Sequence, residues 1–315
     1  MRLIPINGRG PEDIAVDADG DLLTGVADGR ILRVDPDGSR IATVADTGGR
    51  PLGIEIAKDG HLVVCDARRG LLTVDPRTGT VRTLVDRVDG ERMLLCDNAT
   101  VLPDGTIYFT DSSRTHDLAH YSGDLLAHRG TGRLLRRDPD GSVTVLLTRL
   151  QFANGVTASA DGSYVAVAET GGYRITRLWL GGPHAGEADV LADDLPGFPD
   201  NLSTGRHDTI WAALPQPRNP ALALLHRVPP TARRAAAPIA AALAKRPPRT
   251  SGLLGLDGAG RITRHVRLVG GGYRSVTGVR QHDDLLYLGS LVESAIAVLD
   301  VPIERRTTVN TRLAT

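Results

Sequence analysis

Leu52-Gly-Ile-Glu-Ile-Ala-Lys-Asp-Gly60-His-Leu-Val-Val sets one alternating apolar strand against another across an Asp-Gly turn. Asp-Gly between alternating strands is a strong hairpin signal, read here as a turn in which both residues tolerate positive φ. The same kernel recurs along the chain. It reads Glu12-Asp-Ile-Ala-Val-Asp-Ala-Asp-Gly20 upstream, then Asp97-Asn-Ala-Thr-Val-Leu-Pro-Asp-Gly105 and Asn154-Gly-Val-Thr-Ala-Ser-Ala-Asp-Gly162 downstream. Two looser copies follow, Asp200-Asn-Leu-Ser-Thr-Gly-Arg-His-Asp208 and Val276-Thr-Gly-Val-Arg-Gln-His-Asp-Asp284. Second hairpins such as Arg30-Ile-Leu-Arg-Val-Asp-Pro-Asp-Gly-Ser follow the kernels. Two hairpins give four antiparallel strands, which make one propeller blade. The first two kernel spacings are 40 and 45 residues, within the roughly 40–50 that a blade needs. The expected fold is therefore all-β: one six-bladed β-propeller domain spanning residues 1–315.

Longer spacings mark insertions. The larger, about 215–251, is rich in Pro, Ala and Leu and carries arginines and a lysine without an acidic residue. Within it, Thr231 to Arg246 reads as a short helix interrupted at Pro238, so a helical cover or lid is expected in blade five. A smaller insertion near Arg114 to Gly130 adds His116, His120 and His128, read as solvated surface together with His184, His207, His226 and His265.

Composition narrows the function classes. Lys+Arg and Asp+Glu both number 37, so no net positive charge draws the chain to nucleic acid. Aromatic residues are only 3% of the chain, which leaves few stacking platforms for bases. No apolar run approaches the ~18 residues of a membrane span. The N-terminus lacks a basic segment, apolar run and small-residue cleavage site, so a cytoplasmic protein with a small-molecule substrate is expected. The two cysteines, Cys65 and Cys96, read as small buried hydrophobes.

Aligning the kernels on the turn exposes one more regularity. The residue eight positions before it reads Glu12, Leu52, Asp97, Asn154, Asp200 and Val276 around the ring. Equal register on neighbouring blades places these residues at one height about one axis. Carboxylates in a narrow channel are costly unless paired or metal-bound, and no Lys or Arg shares the position. Glu12, Asp97, Asn154 and Asp200 are therefore candidate ligands of a hard cation, calcium or another divalent ion. Asn98 and Asn201 stand one residue further on and are expected to add oxygens or orient the ligands.

These residues carry a family resemblance. Phe152-Ala-Asn-Gly-Val-Thr-Ala-Ser-Ala-Asp-Gly, Ala168-Glu-Thr, Arg174-Ile-Thr-Arg-Leu-Trp-Leu, Leu195-Pro-Gly-Phe-Pro-Asp-Asn and Tyr108-Phe-Thr-Asp-Ser-Ser resemble the strictosidine synthase-like branch of the superfamily of gluconolactonase, regucalcin and the paraoxonases. The resemblance implies a six-bladed propeller with a divalent metal, usually calcium, in the channel mouth. Glu12, Asn154 and Asp200 match the ligands of the hydrolytic members. Blade three departs, with Asp97-Asn98 where the family commonly shows Asn-Asp. The His dyad of the paraoxonases is absent, since the matching positions are Leu52 and Cys65 or Asp66. Strictosidine synthase carries a catalytic Glu where this chain has Gln281, and Gln cannot exchange the proton of an amine–aldehyde condensation.

The expected activity is metal-dependent hydrolysis of a lactone or related ester. Asp200 is the candidate general base, and Asp97 stands behind it. A lyase or cyclase of a biosynthetic pathway, or a non-catalytic calcium-binding propeller, are the alternatives on the same channel.

Overall fold

The computed structural model describes residues 1–229, 233, 250–303 and 306–311. Six antiparallel sheets are arranged as the blades of a propeller, with innermost strands from Ile14–Val16, Pro51–Ile56, Cys96–Val101, Ala153–Ala158, Leu202–Thr204 and Val276–His282. Each kernel supplies the two inner strands of one blade, as the repeat requires. Closure comes from a strand the repeat does not reveal. Arg2–Pro5 pairs antiparallel with Ala295–Val298 and becomes the outermost strand of blade six. Arg306–Asn310 adds a fifth, parallel strand outside His265–Val269 of blade five.

The turns differ from the expected geometry. In blades one to four only the glycine has positive φ, at 89°, 83°, 89° and 71° for Gly20, Gly60, Gly105 and Gly162. In blades two to four the aspartate before it instead accepts a backbone N–H two residues on, as from His61 to Asp59 Oδ1 at 3.0 Å and from Thr106 to Asp104 Oδ1 at 2.9 Å, and in blade one Asp17 Oδ1 accepts from Asp19 N and Asp21 N. That side-chain bond closes the loop locally. The two-residue form with both residues at positive φ occurs at Asp89-Gly90, between Val88 and Glu91.

Blades adhere through six apolar layers, one per interface. Ile54 and Leu62 of blade two pack on Leu23 and Ile31 of blade one. At the closing seam, Ile4 and Ile296 pack on Ile14 and Leu22. No blade buries its own faces alone, so the closed ring is the unit of stability.

The insertions lie on the face where the innermost strands begin. The blade-three insertion folds into a 3-10 turn, Leu118–His120, and helix α1, Tyr121–Ala127. The blade-five insertion contains helix α2, Pro220–Leu225, capped by the Asn219 side chain. The expected helix over 231–246 lies outside the described residues, save Arg233. Among the described residues no helix is long and apolar enough to cross a membrane.

Candidate metal centre at the channel mouth

The innermost strands of blades two, three, four and six are bulged where they enter the channel. Pairing with the second strand skips between Pro51 and Ile54, Cys96 and Ala99, Ala153 and Val156, and Val276 and Val279. A bulge redirects side chains at a strand end; Asp97 and Asn154 fall within these skips, while Glu12 and Asp200 stand two residues before the first paired positions of their strands, Ile14 and Leu202. Partner positions correct the register of blade six. Val279 pairs with Leu288 as Val156 pairs with Val167, which puts Thr277 at the ring height. Val276 is fully buried in the apolar layer between blades five and six. The reason is the turn: His282 pairs directly with Leu285 across two residues, whereas Val16 pairs with Leu22 across five.

Inside the ring, the next position alternates between large and absent side chains. It is Asp13, Asn98 and Asn201 in blades one, three and five, and Gly53, Gly155 and Gly278 in blades two, four and six. Each glycine is forced by the neighbouring blade. A Cβ on Gly53 would stand 2.7 Å from Asn98 Cα, one on Gly155 2.5 Å from Asn201 Cα, and one on Gly278 3.0 Å from Asp13 Cα. The channel narrows only because three blades give up their side chains to three others.

Cross-blade hydrogen bonds fix the polar members. Asn201 Nδ2 donates to Glu12 Oε1 at 2.9 Å. Asn98 Nδ2 donates to Asp13 Oδ2 at 3.2 Å, and Asn98 Oδ1 accepts from Val156 N at 3.0 Å. Ser112 Oγ lies 2.5 Å from Asp97 Oδ2, and Thr277 Oγ1 donates to the Glu12 carbonyl at 2.8 Å. Of the two asparagines, Asn201 thus orients a ring carboxylate, whereas Asn98 ties blade three to blades one and four.

Glu12, Asp97 and Asn154 are 2%, 5% and 4% exposed. Burial pushes the Glu12 carboxyl well up, and Asp200, Asp13 and Asp97 add to it. Burial and the Asp97 charge likewise raise Asp200, opposed by hydrogen bonds from the Asn201 backbone and the Asn154 side chain. Burial lifts Asp97 to about 7 against the bond from Ser112. The four candidates therefore share one electrostatic field. Leu52 belongs instead to an apolar patch with Ala67, Leu95, Leu125 and Phe152.

Do these residues suit a hard cation? Glu12 Oε2, Asn154 Oδ1 and Asn201 Oδ1 are buried without hydrogen-bond partners. Orphaned buried oxygens beside mutually repelling carboxylates are what a cation would satisfy. Among the described residues, no three His, Cys, Asp or Glu side chains are drawn close enough to hold a metal by themselves. The set depends on the amide oxygen of Asn154. The donors are all oxygen, so they fit calcium better than a soft metal.

Three neighbours escaped the sequence reading. Arg50 is 4% exposed, donates from Nη2 to the Gly10 carbonyl at 3.0 Å, and its charge favours the ionised form of Glu12. It sits two residues before the aligned position, in Gly-Arg-Pro-Leu-Gly, so a search restricted to the ring height misses it. Asp13 is buried and raised to about 6, mainly by burial. Tyr121, on α1, feels the charge of Asp200 and stacks obliquely on Phe152 at 6.3 Å. It comes from an unrepeated insertion, which the kernel alignment cannot place.

Other expected features find their places. Cys65 and Cys96 are free and buried. Gln281 is engaged at the far end of its strand, where Oε1 accepts from Trp211 Nε1 at 2.9 Å and Nε2 donates to the Asp283 carbonyl at 3.0 Å. His128 and His226 are not solvated surface. Their rings stack at 3.8 Å, joining the two insertions.

Comparison with known proteins agrees with this architecture. A family model described as strictosidine synthase matches residues 97–183, and one described as strictosidine synthase-like, N-terminal, matches residues 1–34. Protein STRICTOSIDINE SYNTHASE-LIKE 13 of Arabidopsis thaliana is 40% identical over 58% of this chain and 45% of its own length. The chain spans about half the length of the first such plant relatives it matches. The adipocyte plasma membrane-associated protein of Rattus norvegicus is 35% identical over 92% of this chain and 82% of its own. Among solved structures, a Xanthomonas campestris gluconolactonase superposes with a TM-score of 0.68 at 20% identity, covering 95% of this chain and 89% of that one. A calcium-binding protein, regucalcin, from Agrobacterium tumefaciens superposes at 0.60 with 15% identity, covering 90% and 82%. At such identities these two structures speak for the fold. Similarity to the rat protein runs through nearly the whole propeller, and the chain belongs to the strictosidine synthase-like family.

Proposed function

We propose that this protein is a calcium-dependent hydrolase of a lactone or related ester, working at the mouth of the channel. One observation carries the reading. Glu12, Asp97, Asn154 and Asp200 come from four blades into one electrostatic field, with buried oxygens of Glu12 and Asn154 left unpartnered. Bound among these oxygens, calcium would supply Lewis acidity toward a carbonyl oxygen.

The chain's own residues do the rest. Asp200 takes a proton from the attacking water as the water oxygen bonds to the carbonyl carbon. It returns that proton to the departing alkoxide oxygen as the ester C–O bond breaks. Burial and the Asp97 charge raise its affinity for protons. Asp97, near 7, is the second group able to hold a proton there. Leu52, Phe152 and Tyr121 give the mouth an apolar wall that limits water.

A panel of lactones and aryl esters, assayed with and without chelator, tests the reading. Turnover that disappears on chelation, returns with calcium and falls by about 10²-fold or more in Asp200→Asn supports it. Turnover indifferent to chelation removes it. Bound calcium with no turnover of any panel member would favour a non-catalytic propeller, and a carbon–carbon bond-forming product would favour the lyase or cyclase alternative. Cytoplasmic location is part of the same proposal and is tested by fractionating cells that express the tagged chain.

A further inference from the structure

A cavity of about 630 Å3 opens on the mouth face at the rim of blade three. Its walls are the Asp89-Gly90 hairpin, the start of the blade-three insertion and the end of the outermost strand, Val143–Leu150. The lining contains four arginines, Arg92, Arg114, Arg133 and Arg149, and one carboxylate, Glu91. In a chain with zero formal net charge, that concentration is local.

The charges do not cancel. Arg114 pairs with Glu91. Arg133, 5% exposed, is held from behind by Asp111, with Nη2 at 2.5 Å and Nε at 3.2 Å from Oδ2. Arg92 donates to a neutral partner, the Arg68 carbonyl, at 2.8 Å. Among the described residues the Arg149 side chain has neither ion pair nor hydrogen bond. Of the four lining guanidinium groups, those of Arg114 and Arg133 are paired to Glu91 and Asp111, and those of Arg92 and Arg149 face no carboxylate partner among the described residues. Thr148 lines the same wall, as does Thr131, whose hydroxyl is already engaged by Asp124 and Arg114 N. The volume falls within the range of small-molecule sites, roughly 300–1,000 Å3, and guanidinium forks suit tetrahedral oxyanions.

We propose that this rim cavity binds a small doubly charged phosphate monoester, with Arg92 and Arg149 as its principal contacts. The site is separate from the channel ring and does not rest on the hydrolase reading. Titration calorimetry on the full chain, without added divalent cation, tests it with inorganic phosphate, glycerol 2-phosphate and succinate as probes. Saturable binding of both phosphates below about 10 mM, weakened about tenfold or more in Arg92→Gln/Arg149→Gln and weakened by added salt, is expected. Inorganic phosphate binding without glycerol 2-phosphate binding would overturn the monoester assignment, and tighter binding of succinate would overturn the phosphate class. Absence of saturation, or equal affinity in the double variant, would overturn the site. Both arginines are exposed, so folding of the variant is expected to survive, and its thermal melt checks this.

Discussion

The side-chain amide of Asn201 donates to Glu12 Oε1 at 2.9 Å, joining blade five to blade one across 189 residues of sequence. The bond pins one oxygen of the carboxylate and leaves Oε2 buried without a partner. Asn201 therefore orients Glu12 toward whatever the ring holds. Replacing it with leucine keeps the approximate volume and deletes the donor. Such orienting partners typically contribute 10–100-fold to metal affinity. Asn201→Leu is expected to weaken calcium binding by about that factor in a calorimetric titration, and unchanged affinity would show that Asn201 only fills space.

The carboxylates repel one another, and burial adds to the cost of ionising them. Asp97 holds its proton up to about 7 in the fold, whereas a free aspartate loses it near 4. Between those values the folded chain binds more protons than the unfolded one. Stability of the metal-free protein therefore falls as pH rises from about 4 to about 7. A cation held by the ring would offset that loss by RT ln(1 + [L]/Kd), about 2.7 kcal/mol at a hundred times Kd. Melting curves at pH 5 and pH 8 with chelator or calcium check this. The calcium-induced rise in Tm should be larger at pH 8 and should vanish in Glu12→Gln.

Gly155 marks where the ring tolerates no addition. Its missing Cβ would lie 2.2 Å from Leu202 N and 2.5 Å from the Asp200 carbonyl oxygen, both backbone atoms. Alanine there must push blade four from blade five at the height of Asn154 and Asp200. Overpacking of this kind costs typically 1–3 kcal/mol. Gly155→Ala should lower the urea midpoint accordingly and abolish calcium binding. The same change at Gly162, whose Cβ would meet nothing within 4 Å, should leave calcium binding intact.

What the sequence reveals follows from repetition. The kernels locate six innermost strands, and the aligned Glu12, Asp97, Asn154 and Asp200 come to neighbouring places because equal register means equal height. Where the turn changes length, as after His282, the same count misplaces Val276 by one residue. Features without a repeat stay invisible. Arg2–Pro5 closes the ring by pairing with a strand almost 300 residues away, and Tyr121 reaches the mouth from an insertion with no counterpart in other blades. The alternation of Asp13, Asn98 and Asn201 with Gly53 and Gly155 is present in the aligned kernels, and Gly278 joins it once blade six is shifted by one residue. Its meaning needs the distances between blades.

His128 and His226 stack with ring centroids 3.8 Å apart and planes 15° from parallel. His226 Nε2 lies 2.8 Å from the Leu125 carbonyl and must donate to it, while His128 Nδ1 is buried without a partner. Arg233 donates to the carbonyls of Ala127 and His226, so a guanidinium stands beside both rings. Burial, then His226, then Arg233 and Arg174 lower His128 to about 4; burial and Arg233 also lower His226. A free imidazole titrates near 6.5, so between about 6.5 and 4 the separated form binds more protons than the docked one. Docking of α1 onto the blade-five insertion is thus fully present above about 6.5 and is lost as pH falls toward 4. Hydrogen exchange of residues 121–127, corrected for intrinsic rates, should show lower protection at pH 5 than at pH 7. His128→Asn removes the titrating ring while suiting the left-handed backbone at φ 48°, and should flatten that dependence. An identical pH profile in the variant would mean that the contact is held by Arg233 and not by the stacked pair.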